Sequence, residues 1–102
     1  MKNGYKILWT DHALQELTTI VAFLEIYWTE KELQKLAIHL EKTLALISQN
    51  PYLFQESNEK KNVRRAVILK LNTLYYRIHE NRSIEIISFF SNRQNPKNKK
   101  LQ

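Results

Sequence analysis

Residues 63–98 read VRRAVILKLNTLYYRIHENRSIEIISFFSNRQNPKN, and three runs within them, 63–69, 74–79 and 83–90, are rich in Val, Ile, Tyr and Phe. β-Branched and aromatic side chains suit a pleated, half-buried surface, so each run is predicted to be a strand. The intervening Leu71-Asn72-Thr73 and Glu80-Asn81-Arg82 are short enough for hairpins, which makes the three strands an antiparallel meander. Ala66-Val67-Ile68-Leu69 and Ile84-Glu85-Ile86-Ile87 are more apolar than strict alternation gives, which predicts central strands covered over much of both faces. Either the sheet curls over itself or one face awaits a partner, because a large exposed apolar patch on a small protein marks a binding site. After Phe90 the chain turns to SNRQNPKNKKLQ, from which no core can be built. An ordered bend over 92–96 and a mobile basic tail from about residue 97 are expected there.

Upstream, Tyr5, Ile7 and Trp9 alternate with Lys6 and Leu8, the pattern of a short strand over 5–9 with one buried face. Thr10 can accept a hydrogen bond from an unpaired helix N–H, and Asp11 puts negative charge at the positive end of a helix dipole. A helix therefore starts there, with Leu14, Leu17, Val21, Leu24 and Trp28 as its apolar stripe, flanked by Ala13, Ile20 and Tyr27. Thr29-Glu30-Lys31-Glu32 has the form of a capping box and opens a second helix, whose stripe is Leu33, Leu36, Ala37, Leu40, Leu44 and Ile47. Asn50-Pro51 ends it, since the residue before proline avoids helical geometry. So short a connection predicts an antiparallel helix hairpin. Residues 52–62 are polar and read as a loop anchored by Leu53 and Phe54. The expectation is an α+β domain spanning residues 1–102: an N-terminal strand, an antiparallel helix hairpin and a three-stranded antiparallel meander forming a curved sheet.

The composition narrows the function. With no cysteine, disulfide scaffolds and thiol catalysis are excluded, and three histidines, His12, His39 and His79, supply a zinc site poorly. The N-terminus lacks an apolar h-region, and no run approaches the roughly 20 apolar residues of a membrane span, so a cytoplasmic protein is expected. Charge is unevenly placed. Residues 1–58 carry five Lys/Arg against seven Asp/Glu (net −2), whereas residues 59–102 carry eleven against three (net +8). Such asymmetry points to a polyanion or an acidic protein segment as partner, or else to a solubility face.

Several segments together carry a likeness to a known family. They are Tyr5-x-Ile7-x-Trp9-Thr10 with Ala13 and Leu17, Val63-Arg64-Arg65, Tyr75-Tyr76-Arg77-Ile78, and Ile84-x-Ile86-x-Ser88-Phe89-Phe90 running into Asn92-Arg93-Gln94-Asn95-Pro96. Over nearly its whole length the chain resembles the RelE/ParE superfamily of toxins from type II toxin–antitoxin systems, of the plasmid stabilisation type. The resemblance implies a toxin that arrests growth when free of a cognate acidic antitoxin, and that needs no cofactor. RelE-like members cut messenger RNA in the ribosomal decoding site; ParE-like members poison DNA gyrase without being nucleases.

Metal-free RNA cleavage needs a base for the 2′-hydroxyl proton, cations for the pentavalent phosphate, and an acid for the leaving oxygen. Arginine suits the middle role because its fixed fork meets phosphate oxygens in pairs. By the resemblance, Arg65 and Arg93 stand where RelE-like toxins hold phosphate, and Arg77 is a further cation. The tyrosine or histidine that usually follows the last arginine is missing, because Gln94, Asn95, Pro96, Lys97, Asn98, Lys99 and Lys100 come next. His79 could titrate near neutrality, or be a solvated hairpin residue. Tyr75 and Tyr76 point to opposite faces of a strand, one into the core and one free to stack on a base or pack a partner, and alternation with Leu74 and Ile78 gives the core to Tyr76. Arg64 and Arg65 likewise oppose each other, so one site can hold only one of them. Lys97, Lys99 and Lys100 could contact phosphate or be a solvated tail. The reading favours a ParE-like gyrase poison, with a RelE-like messenger RNA endonuclease as the alternative and a non-catalytic RNA- or protein-binding module as a further one.

Overall fold

The computed structural model describes residues 4–27, 29–58, 60, 62–70 and 72–91. Its elements run β1 (Lys6–Trp9), α1 (Asp11–Tyr27), α2 (Glu30–Gln49), β2 (Val63–Ile68), β3 (Asn72–His79) and β4 (Ser83–Ser91). The sheet order is β1-β4-β3-β2, with β1 parallel to β4 and the other pairs antiparallel. The meander is therefore extended by the N-terminal strand, which crosses beyond β3 to lie beside the last strand.

Local chemistry fixes the elbow between β1 and α1. The Thr10 amide (3.1 Å) and hydroxyl (3.0 Å) both donate to the Ile86 carbonyl on β4, and the same hydroxyl accepts from the Ala13 amide at 3.1 Å. One residue thus ends a strand, caps a helix and ties both to the sheet. At the second helix, Thr29 caps α2 by accepting from the Glu32 amide at 3.3 Å, as the box predicts. The N-terminal segment passes close to the end of α2. A Cβ on Gly4, the single glycine, would collide with Ser48 Oγ, while the Tyr5 amide donates to the Ser48 carbonyl and the Ser48 hydroxyl to the Tyr5 carbonyl.

The core lies between the helices and one face of the sheet. Ala13, Ile20 and Leu24 of α1 and Leu36 and Ile47 of α2 meet Ala66, Ile68, Leu74, Tyr76, Ile84, Ile86 and Phe89. The apolar stripe of α1 is rotated from the one the spacing suggests, for Leu14 and Tyr27 are exposed. Glu16 stands on the rotated face, and it is drawn to β4: its carboxylate accepts from the Ser88 hydroxyl and the Phe89 amide, each at 2.8 Å. Ala37 of α2 and Leu53 of the following loop are also exposed, whereas Phe54 packs on the core.

Two expectations about the strands need correction. The β2–β3 turn starts at Leu69 and β3 starts at Asn72, earlier than the turn at 71–73 predicts, because Asn72 already pairs with Ile68 and Ser91 and its side-chain amide donates to the Ile68 carbonyl at 3.4 Å. Leu69 and Lys70 adopt positive φ (54° and 67°), which neither residue type signals; Leu69 is held there by packing on the core. The face away from the helices is covered only in part: Val63 and Thr73 are buried there and Tyr75 and Ser88 half-buried. In β4 the surplus of isoleucine reflects a bulge: Tyr75 pairs with Ser88 and Tyr76 with Ile86, leaving Ile87 unpaired between them. In β2, Val67 is 57% exposed on the face away from the helices.

Tyr76 is wholly buried, and its hydroxyl donates to the Pro51 carbonyl at 2.7 Å, fastening the loop after α2 to the sheet. Burial raises its pKa to about 12, against smaller opposing effects of the Arg64 guanidinium and a backbone hydrogen bond from Phe54. Tyr76→Phe strands a buried carbonyl and should cost about 1–2 kcal/mol in urea denaturation at pH 7. The neutral phenol is the form the fold favours. Its contribution is fully present below the unfolded value of about 10 and is lost as pH rises through the folded value. Wild-type stability should therefore fall between about pH 10 and 12 by on the order of 2–3 kcal/mol more than that of Tyr76→Phe, measured by the same denaturation at each pH.

Candidate functional site

Strand register gathers the candidate residues on the sheet face that the helices leave open. Arg65 is the cross-strand partner of Tyr75, Arg77 of Glu85, and His79 of Ser83, and side chains two apart share a face. Arg65, Tyr75, Arg77 and His79 thus stand together, opposite the core residue Tyr76. Arg93, Lys97, Lys99 and Lys100 lie outside the described residues, as do Trp28, the bend over 92–96 and the tail.

The two adjacent arginines separate cleanly. Arg64 is bound into the structure: its guanidinium donates to the Phe54 carbonyl at 2.6 Å, lies 3.8 Å from the Glu56 carboxylate and sits 5.1 Å above the Tyr52 ring. Arg65 is exposed, and its side chain makes no ion pair among the described residues. The free cation is therefore the one on the open face.

Towards the β3–β4 hairpin the face carries a charged cluster. Glu85 Oε1 pairs with His79 Nε2 at 2.9 Å and lies 3.8 Å from Arg77 Nη1, all three side chains being partly exposed. These residues border an open concavity of about 960 Å³ together with Leu8, Asn62 and Asn81. A second hollow of about 540 Å³ lies higher on the face, where Tyr75 meets His12, Ser57, Lys60, Ser88 and Phe90. His12 comes from the first turn of α1, with its Nε2 3.4 Å from Glu16.

His12, Lys60, Glu85 and Ser88 were not among the residues that sequence reasoning singled out for this face. Glu85 was visible as a lone acid inside an apolar run; His12 joins the site only because β1 and β4 are parallel neighbours, a pairing that no local pattern announces. Chemically, the Arg65–Tyr75 half offers an uncommitted guanidinium beside an aromatic ring, suited to a carboxylate or phosphate next to an apolar group. The Arg77–Glu85–His79 half is already charge-compensated. Among the described residues no group of three or more His, Cys, Asp or Glu is placed to hold a metal ion, and no helix is long and apolar enough to cross a membrane.

Comparison with known proteins agrees with this architecture. A chain from the solved structure of a chromosomal ParDE toxin–antitoxin system of P. aeruginosa shares the fold, with a TM-score of 0.72 over 88% of this chain and 98% of that one, at 14% identity. A search of curated proteins finds no match. The family profile for the ParE toxin of the type II toxin–antitoxin system parDE matches residues 7–96, so that β1 from its second residue, both helices and the whole meander fall within it. The chain belongs to the ParE toxin family of type II toxin–antitoxin systems.

Proposed function

We propose that this toxin arrests bacterial growth by poisoning DNA gyrase in the cytoplasm, and that a cognate acidic antitoxin silences it by covering the open sheet face. The observation that carries the choice of target is the ParE profile match, which runs through Arg93 to Pro96. Two physical arguments support it. The residues after Arg93 hold no tyrosine or histidine for proton transfer to a leaving oxygen. On the face itself, the Glu85 carboxylate sits against both Arg77 and His79, so a phosphodiester arriving there meets a like charge beside the arginine it would use. Arg65, Tyr75 and Arg77 would then serve protein recognition, with Arg93, Lys97, Lys99 and Lys100 adding attraction towards gyrase or its bound DNA.

Expression of the chain alone should stop bacterial growth, and co-expression of the antitoxin should restore it; undiminished growth with soluble, folded toxin would contradict a toxic role. Purified toxin should block gyrase-catalysed supercoiling while leaving messenger RNA on programmed ribosomes intact. Ribosome-dependent cleavage that disappears in Arg93→Ala would instead establish the nuclease reading.

A further inference from the structure

The outer edge of β2 is half occupied by the chain's own backbone. The Ser57 amide donates to the Val63 carbonyl at 2.7 Å, the Arg65 amide donates to the Gln55 carbonyl at 3.1 Å, and Glu56 bridges Arg64 in antiparallel fashion. Residues 55–57 therefore act as a fragment of a fifth strand, which stops at Arg65. Backbone groups along an antiparallel strand alternate between its two neighbours, so the geometry that turns the Arg65 amide outward turns the Val67 amide and carbonyl outward as well. No further backbone segment among the described residues follows 55–57 along that edge.

Native sheets blunt such edges with charge, proline or a covering loop. Here the cover ends early, and the uncovered half carries Val67, 57% exposed, beside the uncommitted guanidinium of Arg65. An apolar side chain and a cation on one face of an open edge fit an added strand that carries an apolar residue near Val67 and a carboxylate near Arg65. The occupant follows from charge: residues 59–102, which include this edge, carry a net +8, and a second copy would bring arginine to arginine.

We infer that the uncovered edge of β2, from Arg65 to Ile68, receives an extended acidic segment of the antitoxin, which continues the sheet where residues 55–57 leave off. The inference rests on the proposed neutralisation by an antitoxin. It makes the Val67 amide a reporter, because that donor has no role in the β2–β3 ladder and gains a partner only when a strand is added.

The test uses the full-length toxin, alone and co-purified with its cognate antitoxin. Hydrogen exchange is followed residue by residue by NMR. The Val67 amide should exchange at least about tenfold more slowly in the complex than in the free toxin. Arg65→Glu, and separately Val67→Lys, should each weaken antitoxin binding by about tenfold, with far-ultraviolet circular dichroism confirming that each variant is folded. Unchanged Val67 exchange in a stable complex would overturn the inference, and so would protection that grows with toxin concentration in the absence of antitoxin, which would give the edge to a second copy. Wild-type inhibition of gyrase, read in parallel, separates the two ideas: its failure condemns the proposed target and leaves a Val67 protected by antitoxin standing.

Discussion

The arrangement depends on how the β1 side of β4 is held. Strand β1 accompanies β4 only from Ser83 to Ile86. There the Thr10 amide and hydroxyl close the pairing on the Ile86 carbonyl, and α1 begins at the next residue. Beyond that point β4 would present bare backbone, and the Glu16 carboxylate supplies the missing acceptor by taking the Phe89 amide and the Ser88 hydroxyl. A buried amide without a partner costs about 1–3 kcal/mol, so the first turns of α1 act as a continuation of β1 by other means. The rotation of the α1 stripe follows: once Glu16 must face β4, Ala13 and Ile20 turn to the core and Leu14 to solvent.

The same clamp lies at the bulge. With Ile87 inserted, Ile84, Ile86 and Phe89 all face the helices although their spacing breaks the period of two. Without the extra residue, Phe89 would point away from Leu74, its partner in the core. Bulge and carboxylate thus solve one problem together, keeping apolar residues on one side while leaving Tyr75 and Ser88 on the other. The open face owes its composition to this, and its readiness for a partner is a by-product of how the core was completed.

Much of this was legible in the sequence. The two caps, the three strands and the assignment of Tyr76 to the core follow from local chemistry: Thr10 and Thr29 before acidic helix starts, β-branched runs, and the alternation around Tyr76. The face shared by Arg65, Tyr75, Arg77 and His79 follows from strand parity once the hairpins are placed. What stayed hidden is non-local or depends on backbone geometry. The turn at Leu69 and Lys70 uses positive φ without glycine or asparagine, so it left no composition signal. The bulge looked like apolar excess. Which of Arg64 and Arg65 is free could not be told from adjacent identical residues, since the answer lies in Phe54, Tyr52 and Glu56, brought up by a loop that reads as unstructured.

The distribution of charge on the open face bears on what a ParE-family surface of this kind is for. A surface built to hold a polyanion gains most from cations with no carboxylate among them, because each phosphate releases counterions only where positive charge is uncompensated. Arg77 and His79 instead share Glu85, and Arg64 is spent on the loop. Of the three arginines on β2 and β3 among the described residues, Arg64, Arg65 and Arg77, the uncompensated one is Arg65, beside Tyr75 and Val67. Among the described residues, one free guanidinium flanked by aromatic and aliphatic surface, with Lys60 beside Tyr75, gives a nucleic acid backbone few contacts. It suits the antitoxin peptide proposed above, whose apolar side chains would occupy the hollows while one carboxylate fixed the register. On that proposal the compensated pair beside it would contribute specificity, since a wrongly placed acid on the incoming chain would meet Glu85.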